Sequence, residues 1–118
     1  MTTYEAGDLV DVPFPFIDAT KTKLRPALVL SGSENQRKTG ACILTMITSA
    51  ERSRWGNDHV MIDWRAAGLK EPSIIRWKIF TLDEALIVGR RGHLTEQDWV
   101  VLGRALAELC GAWSLGAA

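Results

Sequence analysis

Apolar residues recur at every second position, or run together, in short stretches over most of the chain. Only towards the C-terminus does the spacing change to three and four. Gly7 to Pro13 opens on a Gly-Asp turn signal and is expected to be a strand. Pro13 and Pro15 then stop its ladder, with Phe14 and Phe16 between and after them. Ile17 to Lys23 is a polar loop carrying two lysines. Leu24 to Ser31 is an apolar strand entered through Arg25-Pro26. Pro26 lacks an N–H, which suits a strand start, and it holds Arg25 extended. Gly32 to Gly40 is rich in turn residues and reads as a second loop. Ala41 to Thr48 is nearly all apolar and β-branched, the pattern of a central strand. Ser49 to Asn57 is a third loop.

Asp58 to Trp64 alternates again as a strand, and Arg65 to Pro72 is a turn ended by Gly68. Ser73 to Phe80 and the short Ala85 to Gly89 complete the strands. Thr95 is placed to cap a helix, with Glu96 and Asp98 in its first turn. Trp99, Leu102, Leu106, Leu109 and Trp113 then form one apolar face to lay against the sheet. Short strands with Gly/Pro turns and one terminal helix predict a mainly β (α+β) fold. The expected shape is a small barrel or strongly bent sheet capped by the helix.

Composition narrows this picture. The chain has 118 residues, 47% of them hydrophobic, enough for one domain with a real core. No repeat or linker divides it. Formal net charge is zero, yet the first half is uneven. From Ala19 to Gly56 seven basic residues stand against two acidic ones, a local basic surface compatible with phosphate. From His93 onward Arg104 faces Glu96, Asp98 and Glu108. Cys42 and Cys110 lie far apart in apolar surroundings and read as small core residues. No signal-peptide pattern and no bilayer-length apolar run is visible, so a cytoplasmic protein without membrane attachment is expected.

No metal or nucleotide motif stands out, and His59 and His93 are isolated. The remaining candidate chemistry is a set of Arg, Lys, Thr and Ser residues at strand ends. Arg25 offers a guanidinium fork that fits a phosphate, or is an ordinary surface Arg. Thr48 and Ser49 can donate hydroxyls to a phosphate, or cap a turn. Arg76 and Lys78 are two apart on one strand and share a face, with Trp77 opposite. Arg52, Arg54 and Trp55 interleave charge and aromatic surface, a composition that suits single-stranded nucleic acid. Trp55 folded back on the core is the structural alternative.

Several blocks together resemble one family. They are Gly7-Asp8-Leu9-Val10, Val12-Pro13-Phe14-Pro15-Phe16, Arg25 to Ser31, Ile47-Thr48-Ser49, Pro72 to Arg76, and Thr81-Leu82-Asp83. In order and spacing they are similar to the PemK/MazF toxin endoribonucleases of bacterial toxin–antitoxin pairs, over nearly the whole chain. The resemblance implies a single domain, 1–118, folded as an SH3-like barrel of five to six strands with a C-terminal helix and working as a homodimer. It implies an mRNA interferase that cleaves single-stranded RNA at short sequences without metal or cofactor. The ribose 2′-OH would be the nucleophile and a 2′,3′-cyclic phosphate the product.

On that template Arg25 and Thr48 fall on the active-site Arg and Thr, and Arg76 on a further Arg proposed as acid or phosphate binder. Lys78 stands where some members carry an Asp proposed as the general base, so the base stays open. Lys21, Lys23, Ser49, Arg52, Arg54, Trp55 and Lys78 are the expected substrate-binding residues, with the Ile17–Lys23 loop over the RNA. An acidic antitoxin, disordered at one end, is the implied partner. The alternatives are a non-catalytic CcdB-like gyrase poison on the same barrel, or an inactive relative. Arg25, Thr48 and the basic loops favour RNA.

Overall fold

The structure is a computed structural model that describes residues 2–14, 23–51 and 55–113. Six strands make one antiparallel sheet: β1 (Asp8–Phe14), β2 (Lys23–Val29), β3 (Ala41–Ser49), β4 (His59–Val60), β5 (Ser73–Asp83) and β6 (Gly89–His93). Their spatial order is β4-β5-β3-β2-β1-β6. A short helix α1 (Ser33–Thr39) joins β2 to β3, and α2 (Glu96–Leu109) follows β6. The mainly β fold with a terminal helix is as expected.

Alternation gives the sheet two buried faces. Leu9, Leu28, Ile47 and Ile75 point to one side, where Leu94 and Leu102 of the α2 region cover them. Val10, Val12, Ala27, Val29, Cys42 and Leu44 point to the other, with Tyr4, Leu82 and Ile87. The cross-strand register is Val10↔Ala27↔Met46↔Arg76, so that row lies on the face away from α2.

Several segments depart from the expected pattern. Gly32 to Gly40 is helical rather than a loop; its buried residue is Gln36, not an apolar one. Gln36 accepts the Tyr4 N–H at 2.7 Å and donates to Thr2 O and Glu84 Oε2, both at 2.8 Å. Gly40 ends that helix at φ 71°, a conformation open to glycine. The expected strand Asp58–Trp64 pairs only at His59–Val60. Beyond it, the N–H groups of Ile62 and Asp63 turn to the Asp98 carboxylate, at 3.0 and 2.8 Å. Ala85–Gly89 is not a strand. Asp83 accepts the Ala85 N–H and folds Glu84–Leu86 into a 3-10 turn, and the strand begins at Gly89. Cys42 is buried as expected, but Cys110 is exposed at the helix end.

The helix also sits differently from the expected apolar face. Its inward line runs through Asp98 and Leu102, with Ala105 and Leu106 packed against the core. Trp99 remains 45% exposed and stacks on His93, Leu109 is 38% exposed, and Trp113 lies past the helix end. Thr95 occupies the cap position, but its hydroxyl donates to Asp63 Oδ2 at 2.7 Å rather than to the helix. No helix among the described residues is long and apolar enough to cross a membrane.

Asp98 is fully buried and accepts a third bond from His59 Nε2 at 3.1 Å. Burial disfavours its charge, but the two backbone N–H groups and the His59 ring outweigh that and hold the carboxyl below 3.8. Asp8 is held low in the same way by the Glu5 N–H, His93 and Arg90, against its own burial. A carboxyl depressed in the folded state contributes stability that is complete above its unfolded value and lost as pH falls through the folded one. Urea midpoints should therefore fall once pH drops below 3.8. Asp98→Asn should flatten that decline; an unchanged acid slope would contradict the assignment.

Candidate active site

The sequence places Arg25 at the entry of β2 and Thr48 near the end of β3. The β2–β3 register, Ala27↔Met46 and Leu28↔Thr45, continued by two residues sets Arg25 opposite Thr48. Arg76, opposite Met46, lies one row away on the same face. All three line one open cleft of about 640 Å³, together with Ser49. Arg25 is exposed, and among the described residues nothing forms an ion pair or side-chain hydrogen bond with it.

Arg76 is held differently. Its Nε and Nη2 donate to Asp58 Oδ1 and Oδ2 at 3.1 and 2.9 Å, with side chains only 12% and 4% exposed. Those hydrogen bonds to Asp58 push the guanidinium above its already high value, against the effect of burial. Asp58 Oδ2 also accepts the Trp55 N–H at 2.7 Å, so one carboxylate fixes both Arg76 and the start of the Trp55 turn.

Arg76 sits at a break in the ladder. The β3–β5 register runs from Thr45↔Ile79 to Met46↔Arg76, so Trp77 and Lys78 are two extra residues on β5. The Thr45 hydroxyl, fully buried, donates to the Arg76 carbonyl at this bulge. Trp77 turns into the core under α2. Lys78 does not line the cleft; its ammonium lies 4.6 Å over the ring of Trp55, which is 47% exposed. Arg76 and Lys78 therefore do different jobs despite their spacing of two.

Ser49 lines the cleft and also accepts the Glu51 N–H at 3.3 Å, so the turn-cap reading holds for it as well. Lys23 is exposed opposite Phe14, away from the cleft lining. Lys21, Arg52, Arg54 and most of the Ile17–Lys23 loop lie outside the described residues.

Three charged residues of the cleft are not singled out by the sequence: Lys70, Glu71 and Arg91. Arg91 is anchored by Asp11, at 2.8 to 2.9 Å. Lys70 and Glu71 end the turn that leads into β5. Leu69 and Ala67 bury that turn in the core. At Gly92 an added Cβ would come within 1.9 Å of the Ala67 carbonyl oxygen, so β6 and the turn cross backbone to backbone. The available signal was position: two charges directly before Pro72 and the strand that bears Arg76. Among the described residues no three His, Cys, Asp or Glu side chains gather to hold a metal ion.

A family model, PemK-like, MazF-like toxin of type II toxin-antitoxin system, matches residues 5–110. No curated protein sequence matches. Among solved structures, a mycobacterial endoribonuclease in complex with its cognate antitoxin is similar at TM-score 0.73 and 17% identity, over 94% of this chain and 96% of that one. MazE-MazF from Deinococcus radiodurans is similar at TM-score 0.71 and 20% identity, over 94% and 98%. A mycobacterial endoribonuclease without a named partner follows at TM-score 0.71 and 19% identity, over 97% and 98%. At these identities the likeness is one of fold.

Proposed function

Because the chain belongs to the PemK-like, MazF-like toxin family of type II toxin–antitoxin systems, we propose that it is a metal-independent endoribonuclease that cuts single-stranded RNA at short sequences. The observation that carries this reading is the open cleft that gathers Arg25, Thr48 and Arg76 from three neighbouring strands.

In this reading the scissile phosphate lies across β2 and β3. Arg25 presents two donors to its oxygens and stabilises the extra negative charge of the phosphorane as it forms. Thr48 donates a hydrogen bond to the same phosphate. Arg76, fixed by Asp58, acts as a positioned cation rather than as an acid, since its bonds to Asp58 tighten its hold on the proton. The 2′-oxygen displaces the 5′-oxygen and leaves a 2′,3′-cyclic phosphate. Lys23 and Ser49, with Lys21, Arg52 and Arg54 from outside the described residues, are proposed to hold the RNA backbone. A small acidic antitoxin would cover the same basic cleft, and the chain would act in the cytoplasm as a homodimer.

The purified chain, free of partner, should cut single-stranded RNA in EDTA, leave cyclic phosphate and 5′-hydroxyl ends, and spare DNA of the same sequence. A folded, partner-free protein that leaves a broad set of RNAs intact would sink the proposal. Trp55, exposed beside Lys78, offers a stacking surface for a base. Trp55→Ala should weaken binding of an uncleavable 2′-O-methyl RNA by about 1–3 kcal/mol, read by fluorescence anisotropy. Unchanged affinity would mean that Trp55 serves only as a seat for Lys78.

A further inference from the structure

The proposed reaction needs a group that takes the proton of the 2′-hydroxyl, and the cleft offers few. Arg25, Arg76 and Arg91 are guanidinium groups, which stay protonated in proteins. Arg76 and Arg91 are moreover bound to Asp58 and Asp11. Lys70 is a cation, and Thr48, Ser49 and Ser73 are neutral hydroxyls. Lys78 is turned away over Trp55. Among the described residues lining the cleft, Glu71 alone carries a carboxylate.

Its place is well defined. Ser49 pairs with Ser73, and the Ala50 N–H donates to the Pro72 carbonyl at 3.0 Å, which lays residues 72–73 along the end of β3. Glu71 is the next residue back, and the Ser73 hydroxyl donates to its carbonyl at 2.8 Å. The backbone of Glu71 is therefore pinned beside the Thr48–Ser49 end of the cleft, while its side chain is exposed to whatever fills it.

We infer that Glu71 is the general base of this cleft, taking the proton of the ribose 2′-OH. The inference rests on the ribonuclease reading. One oxygen of the Glu71 carboxylate accepts the proton as the 2′-oxygen bonds to phosphorus. The bond from phosphorus to the 5′-oxygen breaks, and its electron pair leaves with that oxygen. The proton held by Glu71 returns through solvent to the departing 5′-oxygen, so the carboxylate is regenerated and no co-reactant is consumed. Lys70 and Arg25, lining the same cleft, keep the substrate phosphate from repelling the carboxylate.

The test measures single-turnover cleavage in EDTA over a range of pH for wild type and Glu71→Gln. Glu71→Gln is expected to lower the rate by about 100-fold or more and to flatten the acid limb of the pH profile. It should leave the affinity for 2′-O-methyl RNA and the unfolding midpoint unchanged, which a merely structural role would not do. If Glu71→Gln cuts at the wild-type rate, or keeps the acid limb, Glu71 is not the base and the ribonuclease reading still stands. Wild-type protein that cuts no RNA removes both.

Discussion

Arg25→Ala is expected to lower RNA cleavage by roughly three orders of magnitude while leaving the fold intact. The two halves of that expectation have separate causes. Arg25 is exposed, and no described residue depends on its side chain for a hydrogen bond. Its removal strands no buried group, and a surface change of this kind shifts stability by about 0.5 kcal/mol or less. Cleavage is another matter, because the phosphate gains negative charge at the moment the 2′-oxygen attacks. A donor pair already aimed at that charge needs no rearrangement. Pro26 supports the aim by restricting the Arg25 backbone, and the register sets the side chain opposite Thr48. Arg25→Lys keeps the charge but loses the fork, so it should fall between the two. Rates and urea midpoints measured on the same preparations check this. An Arg25→Ala protein that is folded and fully active would remove Arg25 from the chemistry.

Asp98→Ala should cost about 3–5 kcal/mol of unfolding free energy, a large part of what a domain of this size possesses. The carboxylate is fully buried and accepts from Ile62 N, Asp63 N and His59 Nε2. Its loss leaves those donors without the partner that the fully buried carboxylate supplies. His59→Ala should be milder, since it removes one of the three bonds and the His59 side chain is 13% exposed. Because Asp98 holds residues 62–63 at the start of the turn that ends in Lys70 and Glu71, the variant should also lose cleavage at temperatures where it is still folded. Denaturant titration and activity on one sample test both points; a loss below about 1 kcal/mol would contradict the network.

The sheet was legible because its strands are driven by side chains that alternate locally, as in Leu9/Val10 and Leu28/Val29 dividing between the two cores. What was hidden depends on partners far away in the chain. α1 carries no apolar period because Gln36 anchors it, through bonds to residues near the N-terminus and to Glu84. The end of β4 is set by Asp98, more than thirty residues later. The three strands that carry Arg25, Thr48 and Arg76 were readable, and the resemblance implied the grouping of the three residues. The partnership of Arg76 with Asp58 was not, since nothing local links a loop aspartate to a strand arginine. The separation of Arg76 from Lys78 needed the bulge, which the smooth run Ser73 to Phe80 conceals.

That bulge sets a rule for length. Side chains alternate faces with a period of two, and β5 carries an even surplus over β3, so Phe80 and Leu82 still meet the same core that Leu44 and Cys42 enter. A single insertion or deletion at 77–78 would turn one half of β5 inside out relative to the other. Either Arg76 would leave the cleft or Leu82 would leave the core. Removing both residues would keep every face and straighten the strand, at the expense of the core Trp77 and of the Lys78–Trp55 contact. Chains built on this plan should therefore vary at this place in steps of two, and the parity of that segment is a constraint that no single substitution reveals.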